Sequence, residues 1–140
     1  MATLVSAALR QKPGFEELVS FSPAEGFVQR LPIARLGKTL FLPVARVVWI
    51  GTQYRMVFAY TDLQRHALDF GLEELCDKLD PSRFFRVHRS IIVNLSQIGK
   101  LEYLDDGRCV LTMKDHAGSA ITVSRYRVGE FRKVCKGRIM

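Results

Sequence analysis

From Phe27 onward, β-branched and aromatic residues come in runs of four to seven, each bounded by Gly, Asp or Pro. Such spacing forces many short strands. They are expected near Phe27 to Ile33, Thr39 to Leu42, Val47 to Gly51, Arg55 to Tyr60, Arg65 to Phe70, Phe84 to Val87, Ile91 to Asn94, Ile98 to Leu104, Cys109 to Met113 and Ala120 to Val123. Asp105-Asp106-Gly107 marks a hairpin turn, because Asp-Gly tolerates the positive φ angles that a tight turn demands. Only two segments read as helix. Leu72, Leu75, Cys76 and Leu79 fall at i, i+3, i+4 and i+7 within Gly71 to Asp80, and Asp80-Pro81 ends that stretch. A second runs from about Tyr126 to Lys136, with Ser124 as N-cap, Val128, Phe131, Val134 and Cys135 inward, and Gly137 as its stop. The fold class is mainly β: about ten short, mostly antiparallel strands with two short helices packed on a sheet.

With 140 residues, 48% of them apolar, the chain suits one domain with a real core. Residues 1–26 differ in character. They are rich in Ala, Ser and Thr and punctuated by Pro13-Gly14 and Pro23, with a turn or two of helix expected at Phe15 to Val19, so they read as an extension before a domain at 27–140. The net charge of +7 is unevenly placed: residues 1–80 hold nine basic and nine acidic side chains, residues 81–140 twelve and five. An excess confined to one half points to a polyanionic partner, either nucleic acid or an anionic surface. Cys76, Cys109 and Cys135 are odd in number, far apart and at apolar positions, which reads as thiols in a reducing compartment. None of His66, His88 and His116 lies within four residues of a cysteine, so no metal or other cofactor is expected. The longest apolar stretch, Phe41 to Gly51, is broken by Pro43 and Arg46, and the N-terminus lacks a basic region followed by an apolar core. The expected location is the cytoplasm, without a membrane span.

Two polar interruptions sit on this β frame. Phe84-Phe85-Arg86-Val87-His88-Arg89-Ser90-Ile91-Ile92-Val93-Asn94-Leu95 places imidazole, guanidinium and hydroxyl groups between two apolar strands. Ile121-Thr122-Val123-Ser124-Arg125-Tyr126-Arg127 repeats the arrangement where a strand runs into a helix. An unpaired charge buried at His88-Arg89-Ser90 would cost several kcal/mol or so, hence these three residues are expected to face outward. Taken together, F-x-R-V-H-R-S-x-I-V-N-L, a β hairpin and then I-x-V-S-R before a short helix resemble the LytTR family of bacterial DNA-binding domains, over roughly residues 27–136. The resemblance implies an elongated, largely β fold whose loops enter the DNA major groove. It also implies binding of double-stranded DNA at paired short direct repeats, in the service of transcriptional regulation.

Candidate contacts follow from residue chemistry and from the resemblance. Arg89 is central to the first motif, and its fork can read guanine O6 and N7 or clamp a phosphate. His88 and Ser90 flank it, although a histidine at a strand end equally serves to fix a turn. Arg125 matches the family arginine that reaches a base edge; the alternative is a surface pair with Glu130 or Asp115. Tyr126 and Arg127 follow it, and the backbone amides at the head of the second helix could face a phosphate. Arg132, Lys133, Lys136 and Arg138 suit phosphate attraction. The third region is Gly51-Thr52-Gln53-Tyr54-Arg55, where the family carries its first contacts, often a histidine followed by arginine; here Tyr54 stands at the histidine position and Arg55 at the arginine. Gln53 and Arg55 rank ahead of Tyr54, which could stack on DNA or simply shield the sheet end. Asn94 reads as structural. No nucleophile elbow, phosphate-binding loop, dinucleotide glycine pattern or zinc-protease pair is present, so an enzyme is not expected. Many family members carry an N-terminal receiver domain, for which 26 residues are too few. Control is then expected from a regulatory partner protein, a ligand, or self-association through the N-terminal segment. The rival reading is a basic interaction module that docks an acidic partner or an anionic membrane. RNA ranks third, because most Phe and Tyr fall inside apolar strand patterns.

Overall fold

The computed structural model describes residues 26–136, and the side chains of 26–135. Most of the extension, the helix expected at Phe15 to Val19, the stop at Gly137 and the charge of Arg138 lie outside the described residues. The chain order is β1 (Arg30–Arg35), β2 (Lys38–Pro43), a 3-10 turn (Val44–Arg46), β3 (Trp49–Gln53), β4 (Met56–Tyr60), β5 (Arg65–Leu68), α1 (Leu72–Lys78), β6 (Phe84–His88), β7 (Ile91–Asn94), a second 3-10 turn (Leu95–Gln97), β8 (Ile98–Tyr103), β9 (Cys109–Met113), β10 (Ala120–Val123) and α2 (Val128–Lys136). Among the described residues the fold is therefore mainly β, with antiparallel pairing and two short helices.

The strands form three sheets: the hairpin β1-β2, a central sheet in the order β5-β4-β3-β7-β6, and a third sheet in the order β10-β9-β8. Alternation along each central strand sends successive side chains to opposite faces. Ile50, Ala59, Leu68, Phe84 and Ile92 pack on one face against Leu31, Ile33 and Leu42 of the hairpin and Leu72, Leu75 and Leu79 of and beside α1. On the other face, Val87 and Val93 meet Cys109, Leu111, Met113, Ile121 and Val123 of the third sheet and Phe131 and Cys135 of α2. The central sheet is thus covered on both sides. At the seam Asn94, fully buried, donates from Nδ2 to the Val47 carbonyl at 2.8 Å, and its Oδ1 accepts from the Ser96 amide (3.1 Å) and hydroxyl (2.8 Å). That fixes the structural role expected of it.

Several boundaries differ from expectation for local reasons. β1 begins at Arg30 rather than Phe27, because the Val28 amide turns away to the Lys78 carbonyl at the end of α1 (3.0 Å). β3 runs on to Gln53, so the polar break expected at Gly51 to Arg55 shrinks to a two-residue turn. Gly51 is required there: the Trp49 ring lies across it, and a Cβ at that position would stand 2.5 Å from a ring carbon. α2 starts at Val128 rather than Tyr126, and Ser124 is not its N-cap. Ser124 instead closes a tight turn in which the Arg127 amide reaches its carbonyl (2.8 Å), while the Arg127 carbonyl receives the Phe131 amide (2.9 Å) as the first helical bond. No helix among the described residues is long and apolar enough to cross a membrane.

Candidate nucleic-acid interface

β6 ends in a β-bulge: Arg86 pairs with Ile92 and His88 with Ile91, leaving Val87 as the extra residue. Val87 is buried, and its carbonyl accepts the Ser124 amide at 2.9 Å, which stitches β6 to the start of the β10-α2 segment. The two motifs that the sequence places over thirty residues apart are therefore adjacent. Between β6 and β7, Arg89 and Ser90 form a two-residue turn with neither residue at positive φ. Turns of that hand splay the strands of a hairpin, and the bulge absorbs the misfit.

Within this turn the His88 ring is taken up locally. The Ser90 amide donates to Nδ1 at 3.2 Å, and the Ser90 hydroxyl lies 3.0 Å from the same nitrogen. Since an amide can only donate, Nδ1 is the acceptor, the neutral ring carries its proton on Nε2, and the hydroxyl also donates inward. His88 and Ser90 together fix the turn, as the structural reading of the histidine anticipates. Arg89 stands outside this arrangement: its side chain is exposed and makes no hydrogen bond or ion pair among the described residues.

On the second edge Arg125 is likewise exposed and without an ion pair among the described residues, since Glu130 is engaged by Arg127 (3.3 Å) and Asp115 by Ser119 (2.8 and 2.5 Å). Its Cδ lies 3.9 Å from where a Cβ on Gly107 would stand, so the aliphatic stem passes over the β8-β9 turn. Tyr126 is 90% exposed. Arg127 is spoken for: Nε donates to the Arg86 carbonyl (3.1 Å), a terminal nitrogen meets Glu130, and the guanidinium covers the Phe85 ring at 5.0 Å. Three of the backbone amides that lead into α2 are taken up locally. The Ser124 and Arg127 amides bond to carbonyls and the Tyr126 amide faces the Ser124 hydroxyl at 3.4 Å, so these donors serve the turn.

The third region is the β3-β4 turn, where Gln53 pairs with Met56 and Tyr54 and Arg55 form the loop with φ of +53° and +64°. Both signs belong to the primed turn that matches strand twist, though without the usual Asn or Gly. Tyr54 is 81% exposed and shields nothing, and Arg55 is exposed beside it. Gln53 is partly committed, its Oε1 accepting from Arg65 at 3.0 Å and facing the Tyr60 hydroxyl at 3.5 Å. The Thr52 amide bonds to the Ser90 carbonyl at 3.0 Å, so this hairpin stands beside the Arg89 turn.

His88, Arg89, Ser124, Tyr126 and Arg127 line one open groove of about 970 Å³, floored by Phe84, Phe85 and Ile92. Two arginines that the sequence reading did not select join this surface. Arg86 sits at the groove wall, bonded to Glu73 at 2.6 Å; that carboxylate holds its guanidinium above the ordinary arginine range. Arg108 stands on the β8-β9 turn near Arg125, with its amide on Asp106 Oδ1 (3.1 Å) and Nε on Oδ2 (2.7 Å), which depresses the Asp106 carboxyl. The D-D-G-R string carried that signal: a carboxylate two residues before an arginine at a tight turn orients its fork. Cys76 also lines the groove, and burial pushes its thiol up, as it does for Cys109 and, to about 11, for Cys135.

Known proteins align with this arrangement. The LytTr DNA-binding domain family model matches residues 37–136. The transcriptional regulatory protein YpdB of Escherichia coli K12 is 33% identical over 97 residues, which cover 69% of this chain and 39% of that protein. The CO-responsive transcriptional regulator RcoM of Rhodospirillum rubrum is 28% identical over 130 residues, 92% of this chain and 55% of that protein. The chain therefore spans well under two thirds of either relative. Among solved structures, a LytTr DNA-binding domain of a methyl-accepting/DNA response regulator from Bacillus cereus superposes with a TM-score of 0.67 at 22% identity, covering 76% of this chain and 95% of that one, which establishes a shared fold. With its family model matched over 100 of 140 residues, the chain belongs to the LytTR family of DNA-binding domains.

Proposed function

We propose that this chain regulates transcription by binding double-stranded DNA in a sequence-specific manner, with Arg89 and Arg125 entering the major groove to read base edges. The observation that carries this reading is the pairing of those two arginines. Both guanidiniums are exposed and uncommitted, on segments joined by the bond from the Ser124 amide to the Val87 carbonyl; Arg89 lines the groove, while Arg125, between the groove-lining Ser124 and Tyr126, extends over the β8-β9 turn. Each fork can take guanine O6 and N7 together. Tyr54, Arg55 and Tyr126 flank them, and Gln53 supports the neighbouring turn; the charge excess of residues 81–140 supplies attraction to phosphates. The DNA-bound state is expected to hold two copies on paired direct repeats, in the cytoplasm, with control through a partner, a ligand or self-association.

The test is selection of bound duplexes from a random pool, followed by titration of a selected and a scrambled duplex over a range of salt. With about five phosphates neutralised, log K should fall against log salt with a slope near −4.5 on both duplexes. The selected duplex should bind more tightly at every salt concentration. Equal affinity for both would instead identify a basic module that docks acidic surfaces without reading sequence.

A further inference from the structure

Each of the two helices sends a carboxylate to an arginine, and each of those arginines donates to a main-chain carbonyl of β6 or its turn. From α1, Glu73 holds the NH1 nitrogen of Arg86 at 2.6 Å, and the NH2 nitrogen donates to the carbonyl of Arg89. From α2, Glu130 holds a terminal nitrogen of Arg127 at 3.3 Å, and the Nε of Arg127 donates to the carbonyl of Arg86 at 3.1 Å. The two units share Arg86, once through its side chain and once through its backbone. The first ends on the carbonyl of Arg89, the residue whose side chain the proposed function sends to a base, and the second ends one link back, on the carbonyl of Arg86.

Arg86 itself is badly placed to contact DNA. Its side chain is 24% exposed, two of its nitrogens are engaged within the protein, and the third, Nε, is buried with no partner. A buried N–H without an acceptor is unfavourable, and native structures keep few of them. The same guanidinium also interacts with the Cys76 thiol, so its place in the groove wall is set by three partners, Glu73, Cys76 and the Arg89 carbonyl. Of the other two nitrogens, NH1 is anchored on Glu73 and NH2 holds the carbonyl that ends the Arg89 residue, and fixing that carbonyl fixes the peptide plane that leaves the Arg89 Cα. The turn needs such help: it is not of the primed type that matches strand twist, and a bulge precedes it.

We infer that Arg86 is a positioning residue for base reading, holding the Arg89 carbonyl from its anchor on Glu73, with Arg127 as the second brace rather than a DNA contact. The inference rests on the reading of Arg89 as a base contact. It assigns Glu73, remote from any motif, a part in sequence preference. Base reading is directional and phosphate attraction is not, so loss of the brace should reduce preference between duplexes and leave general affinity alone.

The experiment uses the full chain with Arg86→Gln, Glu73→Ala, Arg89→Ala and the double variant Arg86→Gln with Arg89→Ala. The duplexes are one selected by the parent chain and one scrambled. Arg89→Ala should reduce the selected-to-scrambled ratio by about tenfold, as expected for loss of a bidentate base contact. Arg86→Gln should reduce it several-fold at the same base pair, with scrambled affinity and salt slope unchanged, and the double variant should fall no lower than Arg89→Ala alone. Glu73 is 85% exposed, so Glu73→Ala leaves the core intact and decides the matter if Arg86→Gln does not fold; a smaller loss at the same base pair is expected. Amide shifts of Arg89 and Ser90 in the free protein should move in both brace variants. An equal loss on both duplexes with a shallower salt slope would show that Arg86 touches phosphate itself, and additive losses in the double variant, or an unchanged ratio in Glu73→Ala, would equally overturn the inference. If Arg89→Ala alone leaves the ratio intact, the base-reading assignment fails first and takes the positioning role with it.

Discussion

Two neighbouring hairpin turns of the central sheet, each of two residues, solve the same problem in opposite ways. The β3-β4 turn adopts the primed geometry with Tyr54 and Arg55 at positive φ, and its side chains are left exposed. The β6-β7 turn keeps ordinary φ at Arg89 and Ser90 and is held by the His88 ring, the Ser90 hydroxyl, the Arg86 guanidinium and the bulge at Val87. The first accepts backbone strain of about 1 kcal/mol or more per residue, because a Cβ is unwelcome in the left-handed region. The second avoids that strain and needs side-chain bonds instead. A site can thus fix its geometry through torsion or through hydrogen bonds, and the two kinds respond differently to substitution.

The contrast breaks most visibly at the tips of the braced segments. Arg89→Ala and Arg125→Ala remove exposed, uncommitted forks, so folding should be unaffected within about 0.5 kcal/mol, as for surface substitutions in general. Each should lower the selected-to-scrambled discrimination by about 1 to 3 kcal/mol. Thermal unfolding beside the paired titrations checks both halves. An unchanged discrimination would remove these residues as sequence readers even if the protein still bound DNA.

On the strained turn the expected effect is of opposite sign. Replacing Tyr54 by Asn and Arg55 by Gly supplies the residues that a primed turn favours, and stability should rise by about 1 to 2 kcal/mol, seen as a midpoint some 3 to 8 °C higher or so. DNA affinity should fall in the same variant. A stability gain without any loss of binding would mean that the turn's exposed side chains contribute nothing. On the bonded turn, Ser90→Ala removes the hydroxyl from Nδ1 of His88 and should cost about 1 kcal/mol in a denaturant titration. A neutral outcome would show that the bulge and Arg86 suffice.

Much of this was legible from residue types. Alternation gave the strands from β6 to β10 almost to the residue, since Ile91–Asn94, Cys109–Met113 and Ala120–Val123 coincide with expectation. The adjacency of the two motifs was not written in residue types; it follows from the bond of the Ser124 amide to the Val87 carbonyl. The β3-β4 turn was read as a longer break, because Tyr-Arg is not a residue pair that announces a primed turn and the extension of β3 depends on pairing with β7 and β4. α2 starts later than Ser124 as an N-cap implies, because Ser124 to Arg127 closes as a separate tight turn and Arg127 accepts the first helical bond. Arg127 looked like Arg125 by charge alone. Only tertiary partners, Phe85, Glu130 and the Arg86 carbonyl, separate an arginine that braces from one that is free to reach.

The smallest expected effect tests whether the strained turn acts by direction or by charge. Lys133 on α2 is exposed, and its removal should weaken both duplexes together and reduce the salt slope by about 0.9, the value of one phosphate contact. The ratio between duplexes should not move. Arg55 offers the comparison, because a charge that merely attracts phosphate gains nothing from sitting on a backbone held at φ +64°; a loose loop would serve equally. Strain is therefore worth keeping only if the turn fixes where Arg55 points. Arg55→Ala should accordingly lower the ratio by about fivefold, toward the low end of a directed base contact. If Arg55→Ala instead reproduces Lys133→Ala, with both duplexes weakened alike and the slope about 0.9 shallower, the β3-β4 turn is an electrostatic contact. Sequence reading would then belong to the braced edges alone.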